Sequence, residues 1–187
     1  MNTAEIKRTQ RRVGTQDDGV WGRKSMAACQ RHLKAMMPSP SPWPSPSQSA
    51  LQRFYGSPGD ESQIVGIPAP SWMRLYDTDT RVRTIRCHRK VADSLLRALN
   101  AAHEVAPDFA KRYFGCYVNR PMRGGRTPST HARGIAIDLA ASTNGNRTHW
   151  PTRANMPIEV MECFAREGWM PAGAFWSRDA MHAQATR

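Results

Sequence analysis

The sequence predicts an α+β domain preceded by a small helical unit, and three observations carry that expectation. A proline-rich run, PSPSPWPSP at residues 38–46, divides the 187-residue chain into a short head and a longer body. Two stretches of the body have apolar residues at helical spacing. Several short runs of β character stand around them without the βαβ alternation of a parallel sheet, so a small antiparallel sheet with flanking helices is expected. The organisation read from this is a head at 1–37, a Pro/Ser-rich linker at 38–50 and a body at 51–187.

Each element has a local reason. In the head, Ile6, Gln10 and Val13 fall at i, i+4 and i+7, a short helical stripe. DDGVWG at 17–22 contains the Asp-Gly pair of a turn. A second helix is expected from Arg23 to Met36. The linker holds five of the 14 prolines in nine residues, a composition that excludes helix and sheet interior. As extended polyproline II it would span roughly 28 Å as a spacer. In the body, Val91, Leu95, Leu99 and Ala102 mark an amphipathic helix that stops near Pro107. A second helix is expected from about Asn155, with Asn155 as cap, Pro157 in the first turn, and Ile158, Met161, Phe164 and Ala165 as its stripe. Gly168 sits where glycine favours the end of a helix. The β-like runs are 81–87, 115–120 and 134–140.

Composition bounds the function. Lys and Arg number 27 against 15 Asp and Glu, a net charge of +12, and 22 of the 27 are Arg. Such a chain suits nucleic acid, an anionic membrane surface or an anionic wall polymer. No run approaches the ~18 apolar residues of a membrane span. The first residues, MNTAEIKRTQRRVG, lack the 7–15-residue apolar core of a secretory signal. Cys29, Cys87, Cys116 and Cys163 lie far apart with no CxxC pair, so neither a zinc finger nor a disulfide framework is expected. No helix-turn-helix, RNA-recognition or zinc-finger pattern is present, and no specific nucleic-acid partner is expected. RPMRGGR at 120–126 has glycines and arginines that could cradle phosphate but lacks the GK[ST] of a P-loop.

The segment richest in chemistry is STHARGIAIDL, residues 129–139. Ile135, Ile137 and Leu139 alternate with Ala136 and Asp138, the period of a strand with one face on the core. A carboxylate on such a strand needs a partner, because burying an unpaired charge is costly. His131 precedes it by seven residues on the entering turn. Near the C-terminus, RDAMHAQ supplies Asp179 and His182 three residues apart. Two histidines and one aspartate with a fourth position open suit a catalytic zinc, with the remaining carboxylate available as a general base. Other candidates are thinner. Cys87–His88 are adjacent and diverge on a helix. His149 lies in a polar loop. Trp169, Phe175 and Trp176 could line a cleft or fill the core.

SxHxxGxAxD, read as Ser129, His131, Gly134, Ala136 and Asp138, with the late DxxH of Asp179 and His182, resembles the zinc D-Ala-D-Ala carboxypeptidase and dipeptidase family. That family includes phage L-Ala-D-Glu endopeptidase endolysins. GCYVNR with Arg120, and GWMPAGAFW before the DxxH, fit the same order, and the resemblance covers roughly residues 54–184. It implies His131, Asp138 and His182 as ligands of Zn2+ and Asp179 as general base. It further implies Arg120 as the group that stabilises the oxyanion or orients substrate, with Ser129 beside the bound peptide; of the aromatics that could line a cleft, Trp176 is the one expected to contact substrate. Many relatives carry Glu at the base position; Asp179 here is more typical of the endolysin branch. Ala183 stands where an aromatic residue commonly follows the last ligand.

The head resembles a helical peptidoglycan-binding repeat through Gln10, Asp18, Gly19, Gly22 and Ala27, although a third helix is lacking. Together the two resemblances imply a peptidoglycan peptidase with a wall-binding head, expected to act as a monomer. Its synthesis is expected in a host cytoplasm, and its action at the wall after the membrane is breached. A D-Ala-D-Ala carboxypeptidase of the same fold, and a zinc-containing wall-binding protein without catalysis, are the alternatives. On this reading the basic surface serves to hold the protein on an anionic wall.

Overall fold

The computed structural model describes residues 1–187 and has an α+β architecture. In chain order, α1 (Thr3–Arg12) and α2 (Arg23–Met36) form the head, and α3 (Gln48–Tyr55) follows the proline-rich run. Then come β1 (Ile64–Pro68), β2 (Arg74–Leu75), β3 (Thr84–His88), α4 (Ala92–Val105), α5 (Pro107–Ala110) and β4 (Arg112–Gly115). The chain closes with β5 (Ala136–Leu139), α6 (Ala141–Asn144), α7 (Ile158–Arg166), β6 (Met170–Pro171), α8 (Ala172–Trp176) and β7 (His182–Gln184).

The strands form two sheets. β1 and β3 pair antiparallel as a separate ribbon, and the other five lie in the order β2-β4-β5-β7-β6. That sheet departs from the expected wholly antiparallel one at its edge, where β2 runs parallel to β4. β5 is central and is buried on both faces. Its Ile137 and Leu139 join Leu95 and Leu99 of α4 and Met161 and Phe164 of α7 in a single cluster of 37 buried residues. The strand expected at 115–120 ends at Gly115, and its ladder is irregular between Tyr113 and Gly115. α7 begins at Ile158 with Pro157 at its cap; Asn155 does not cap it, because its side-chain Oδ1 accepts from Asn144 Nδ2 at 3.1 Å instead. α3 was not expected. Ser47 caps it through Ala50 N, and only Leu51 and Tyr55 are buried, too short a stripe to stand out from sequence.

The core crosses the boundaries that the proline run suggests. Val13, Ala28, Cys29 and Leu33 of the head and Trp43 of the run belong to the same cluster as the body. Far from being a free spacer, the run lies against the end of α7. Trp43 donates its indole N–H to Glu167 O at 2.8 Å, and Gly168 approaches Pro42 so closely that a Cβ there would meet Cδ at 3.1 Å. Aromatic packing explains why: Trp43 meets the fully buried Trp169 edge to face with centroids 6.4 Å apart.

Within the head, Gln10 is buried and staples the turn. Its amide donates to Asp18 Oδ1 at 2.9 Å and Val20 O at 3.0 Å, and its carbonyl accepts from Gly19 N at 2.9 Å. Gly19 has φ +81°, and a Cβ there would meet Thr3 Cγ2 at 2.7 Å. The Gln…DGxxG pattern thus has a structural job in this chain, closing a helical hairpin.

Head and body are clamped by one buried carboxylate. Glu162 of α7 accepts two hydrogen bonds from the Arg12 guanidinium at 2.6 and 2.7 Å and contacts His32 Nε2 at 2.8 Å. Burial alone would raise its pKa, but the hydrogen bonds from Arg12 and His32 outweigh that and hold it below the ordinary glutamate value. A carboxylate with a depressed folded-state pKa stabilises the fold above its unfolded value, and that contribution disappears as pH falls through the folded one. Glu162→Gln is therefore expected to cost on the order of 2 kcal/mol at pH 7. The deficit should shrink as both proteins are acidified below about pH 4, as chemical denaturation at the two pH values would show.

Candidate metal centre

Three neighbouring strands converge on the site. Asp138 on β5 lies directly across from His182 on β7 in the antiparallel register. The two side chains meet with His182 Nδ1 2.9 Å from Asp138 Oδ1. His131 enters from the short 3-10 helix Thr130–Arg133 that precedes β5, and its Nε2 lies 3.3 Å from the same carboxylate oxygen. The third strand contributes backbone: Cys116, just beyond β4, accepts from His131 Nδ1 at 2.6 Å. One ligand atom from each of His131, Asp138 and His182 lies within 4.8 Å of the others, and all three residues are buried. Asp138 is 3% exposed.

The local sequence explains the placement. Ser129 Oγ accepts from His131 N at 3.3 Å and so caps the 3-10 helix. Gly134 ends that helix in the left-handed region at φ +64°. It also packs against the end of β3, where an added Cβ would lie 2.7 Å from His88 N and 3.0 Å from Cys87 C. Any side chain there would push the helix, and His131 with it, off β3. Both the sign of φ and the close approach require glycine. The small Ala136 and Asp138 share the face opposite Ile137, as the alternation predicts.

The electrostatics suit a cation. Burial would raise the Asp138 pKa, but hydrogen bonds and charge from His131 and His182 hold it well below the usual carboxylate range. His182 is pulled the other way: burial lowers its pKa, and the Asp138 carboxylate more than compensates, leaving it raised. Each imidazole has one nitrogen engaged away from the cluster. His131 Nδ1 faces Cys116 O, and His182 Nε2 lies 3.1 Å from Gln184 Oε1. Those two carbonyl oxygens can only accept, so the outer nitrogens keep their protons when the inner ones, which bond Asp138 in the metal-free group, give theirs up. The lone pairs of His131 Nε2 and His182 Nδ1 are then left for a metal, the arrangement that orients ligating histidines. Gln184 is itself held, donating to Thr186 Oγ1 at 2.8 Å and accepting from Thr130 Oγ1 at 3.3 Å. Sequence reasoning missed Gln184 and the Cys116 carbonyl, because neither is a ligand type; the period-two spacing of His182 and Gln184 on one strand was the available signal. The donor set of two imidazoles and one carboxylate fits zinc.

The other candidate residues separate. Asp179 is 9% exposed and has φ +59°, an uncommon conformation for a non-glycine residue. Its Oδ1 is buried without a hydrogen-bond partner. Its backbone carbonyl accepts from His182 N at 2.9 Å, which ties it to the triad, and burial raises its pKa. Trp176 is 44% exposed and stacks on His182 with centroids 5.5 Å apart. Trp169 is core, with its indole N–H on Ser94 Oγ at 2.8 Å. Phe175 is half-buried against the core beneath Lys34. The Arg120 guanidinium is bonded to Pro121 O at 3.1 Å and makes no bond to the triad. Its backbone carbonyl is nearer the chemistry, accepting from Ser129 N at 3.2 Å. His88 has no nitrogen to spare, since Nε2 lies 2.9 Å from Tyr55 O and Nδ1 accepts from Lys90 N. His149 is exposed, with Nδ1 3.3 Å from Ser177 O. All four cysteines are buried free thiols.

Gln184→Ala is expected to lower divalent-metal affinity about 10- to 100-fold. Competition with a chromophoric chelator would measure the loss, and an unchanged melting profile of the metal-free protein would separate it from unfolding.

Comparison with curated proteins gives no match, and comparison with solved structures gives none. A family model does match. Residues 123–185, which hold His131, Asp138, Asp179 and His182, are similar to the family described as D-alanyl-D-alanine carboxypeptidase.

Proposed function

We propose that the protein is a zinc-dependent peptidoglycan peptidase, with His131, Asp138 and His182 as the metal ligands and Asp179 as the general base. The observation that carries the reading is the buried His–Asp–His group, with both outer imidazole nitrogens engaged, inside the segment similar to D-alanyl-D-alanine carboxypeptidases. A zinc ion held there supplies Lewis-acid polarisation of a peptide carbonyl and makes water a competent nucleophile near neutral pH.

The rest of the chemistry falls to side chains of the chain itself. Asp179 takes a proton from the attacking water and returns it to the leaving amine. Its orphaned buried oxygen and raised pKa suit a group that must accept a proton and give it back. Trp176 offers an exposed aromatic face beside His182 for the substrate chain. Ser129 spends its oxygen lone pair on the cap of the His131 helix and keeps its hydroxyl hydrogen for a substrate carbonyl. Arg120 reaches the developing oxyanion only after its guanidinium leaves Pro121 O.

Within this class we assign cleavage at L-Ala-D-Glu, as in a phage endolysin. Two features support it: a head that resembles a wall-binding repeat, and Asp at the base position. The enzyme would then be a monomer, made in a host cytoplasm and active at the wall after membrane breach, with the head holding it there. No helix is long and apolar enough to cross a membrane. A second reading, D-Ala-D-Ala carboxypeptidase, is favoured by the description of the matching family.

Mass analysis of digested peptidoglycan decides between them: new N-terminal D-Glu is expected, whereas free D-Ala identifies the carboxypeptidase. Asp179→Asn is expected to keep its zinc and lose hydrolysis by at least ~100-fold. A zinc-loaded Asp179→Asn protein with near-normal turnover would remove Asp179 from the base role.

A further inference from the structure

The charge of the body is not spread evenly. Residues 109–158 contain eight basic residues and one acidic residue, Asp138, which is buried in the metal group. The remainder of the body, 51–108 and 159–187, has eleven basic and eleven acidic residues. The whole positive excess of the body therefore lies in the stretch that carries His131 and Asp138.

Part of that stretch is a projecting arm. Ser129 N bonds Arg120 O at its base, Pro121 pairs antiparallel with Pro128, and Met122 N bonds Thr127 O at 2.8 Å. The tip is a tight turn closed by Gly125 N on Met122 O at 3.1 Å, with Gly124 at φ +78°. Residues 121–127 are all exposed. Arg123 and Arg126 flank the turn, and neither forms a salt bridge or a side-chain hydrogen bond. Like charges set this close on a hairpin oppose its folding, so two unpaired guanidiniums at the tip bring the fold nothing. The arm's base is also the cap of the His131 helix, through Ser129. At ~3.4 Å per residue, the tip stands roughly 10 Å beyond that base.

We propose that this arm is a carboxylate-binding subsite, with Arg123 and Arg126 gripping acidic groups of an extended peptide whose scissile bond lies at the metal group. The proposal rests on the peptidase reading for the identity of the ligand, the acidic stem peptide of peptidoglycan. Guanidinium forks bind phosphate as well as carboxylate. The carboxylate is favoured because one chain must reach both the arm and the metal group, and the stem peptide carries acidic groups beside its cleavable bonds.

The test compares the intact protein with an Arg123→Gln/Arg126→Gln variant on a synthetic acidic stem peptide and on the same peptide with its carboxylates amidated. Equilibrium binding is measured with EDTA present, and hydrolysis with zinc. On the acidic peptide the variant should bind about fivefold to tenfold more weakly and show a KM raised by the same factor, with kcat unchanged. On the amidated peptide the two proteins should be alike. Equal affinity for the acidic peptide would overturn the subsite, as would an equal loss on the amidated one. A loss confined to duplex DNA or to a phosphodiester wall polymer would overturn it in favour of a phosphate site. If the wild type cuts neither peptide, the peptidase reading fails, and the binding comparison still decides whether the arm recognises carboxylate.

Discussion

Asp138 is the residue on which the rest of the site depends. A carboxylate this deeply buried on the central strand is tolerable only because two imidazoles face it. Those imidazoles are in turn held from behind, His131 by the Cys116 carbonyl and His182 by Gln184. The polar network therefore runs from the end of β4 through β5 to β7, following the sheet order. Each member occupies the position that strand pairing dictates: Asp138 faces His182 because β5 and β7 are antiparallel neighbours in that register. A one-residue slip of β7 would turn His182 to the opposite face and leave Asp138 buried beside a single histidine. The fold's register and the His–Asp–His group are thus one constraint.

The opposite face of β5 supplies what holds that register. Ile137 and Leu139 pack into a core shared with α4, α7 and the head. The head adds a polar contact of the same kind as the site: Glu162, buried on α7, is charged because Arg12 and His32 surround it. Both buried carboxylates stay ionised for the same reason, since each has gained more from its donors than it lost to burial. They differ in what the donors are free to do. Arg12 also reaches Glu159 at 3.6 Å and stays an ion-pair partner, whereas on the proposed reading His131 and His182 would exchange their interaction with Asp138 for a shared metal.

Much of the site was legible in the sequence because its signals are local. Alternation around Asp138 defines a strand, seven residues back to His131 spans one short turn, and Asp179 with His182 sits just ahead of the last strand. Elements that depend on distant partners were not legible. The proline run reads as a spacer until Trp43 is seen against Trp169 and Glu167. Gln184 is an ordinary strand residue until His182 needs an acceptor. Trp169 and Trp176 are equivalent in sequence, yet one has Ser94 beneath it and the other has solvent above it. Arg120 illustrates the limit of a positional resemblance: its guanidinium rests on Pro121 O.

The backbone around Asp179 concentrates strain: of the four non-glycine residues with positive φ, Asp79, Ala140, Ser177 and Asp179, two lie here. Ser177 and Asp179 both have positive φ, a conformation that costs on the order of 1 kcal/mol or more for each non-glycine residue. Such a segment persists only if its surroundings over-determine it. Here Trp150 N bonds Ser177 O at 3.1 Å, and His149 pairs antiparallel with Arg178. Trp150 is in turn buried, with its indole on Met156 O at 2.8 Å. Asn144 ties this loop to the sheet: its side-chain carbonyl accepts from Asn155 N and Met156 N, and its backbone carbonyl accepts from Met181 N. The loop from Asn144 to Met156 therefore acts as a brace that holds Asp179 against its own backbone preference. With that brace, a carboxylate oxygen can be kept buried, unpartnered and beside the triad. A relaxed Asp179 would be free to turn to solvent or to a backbone N–H, and its pKa would fall back toward that of an ordinary aspartate.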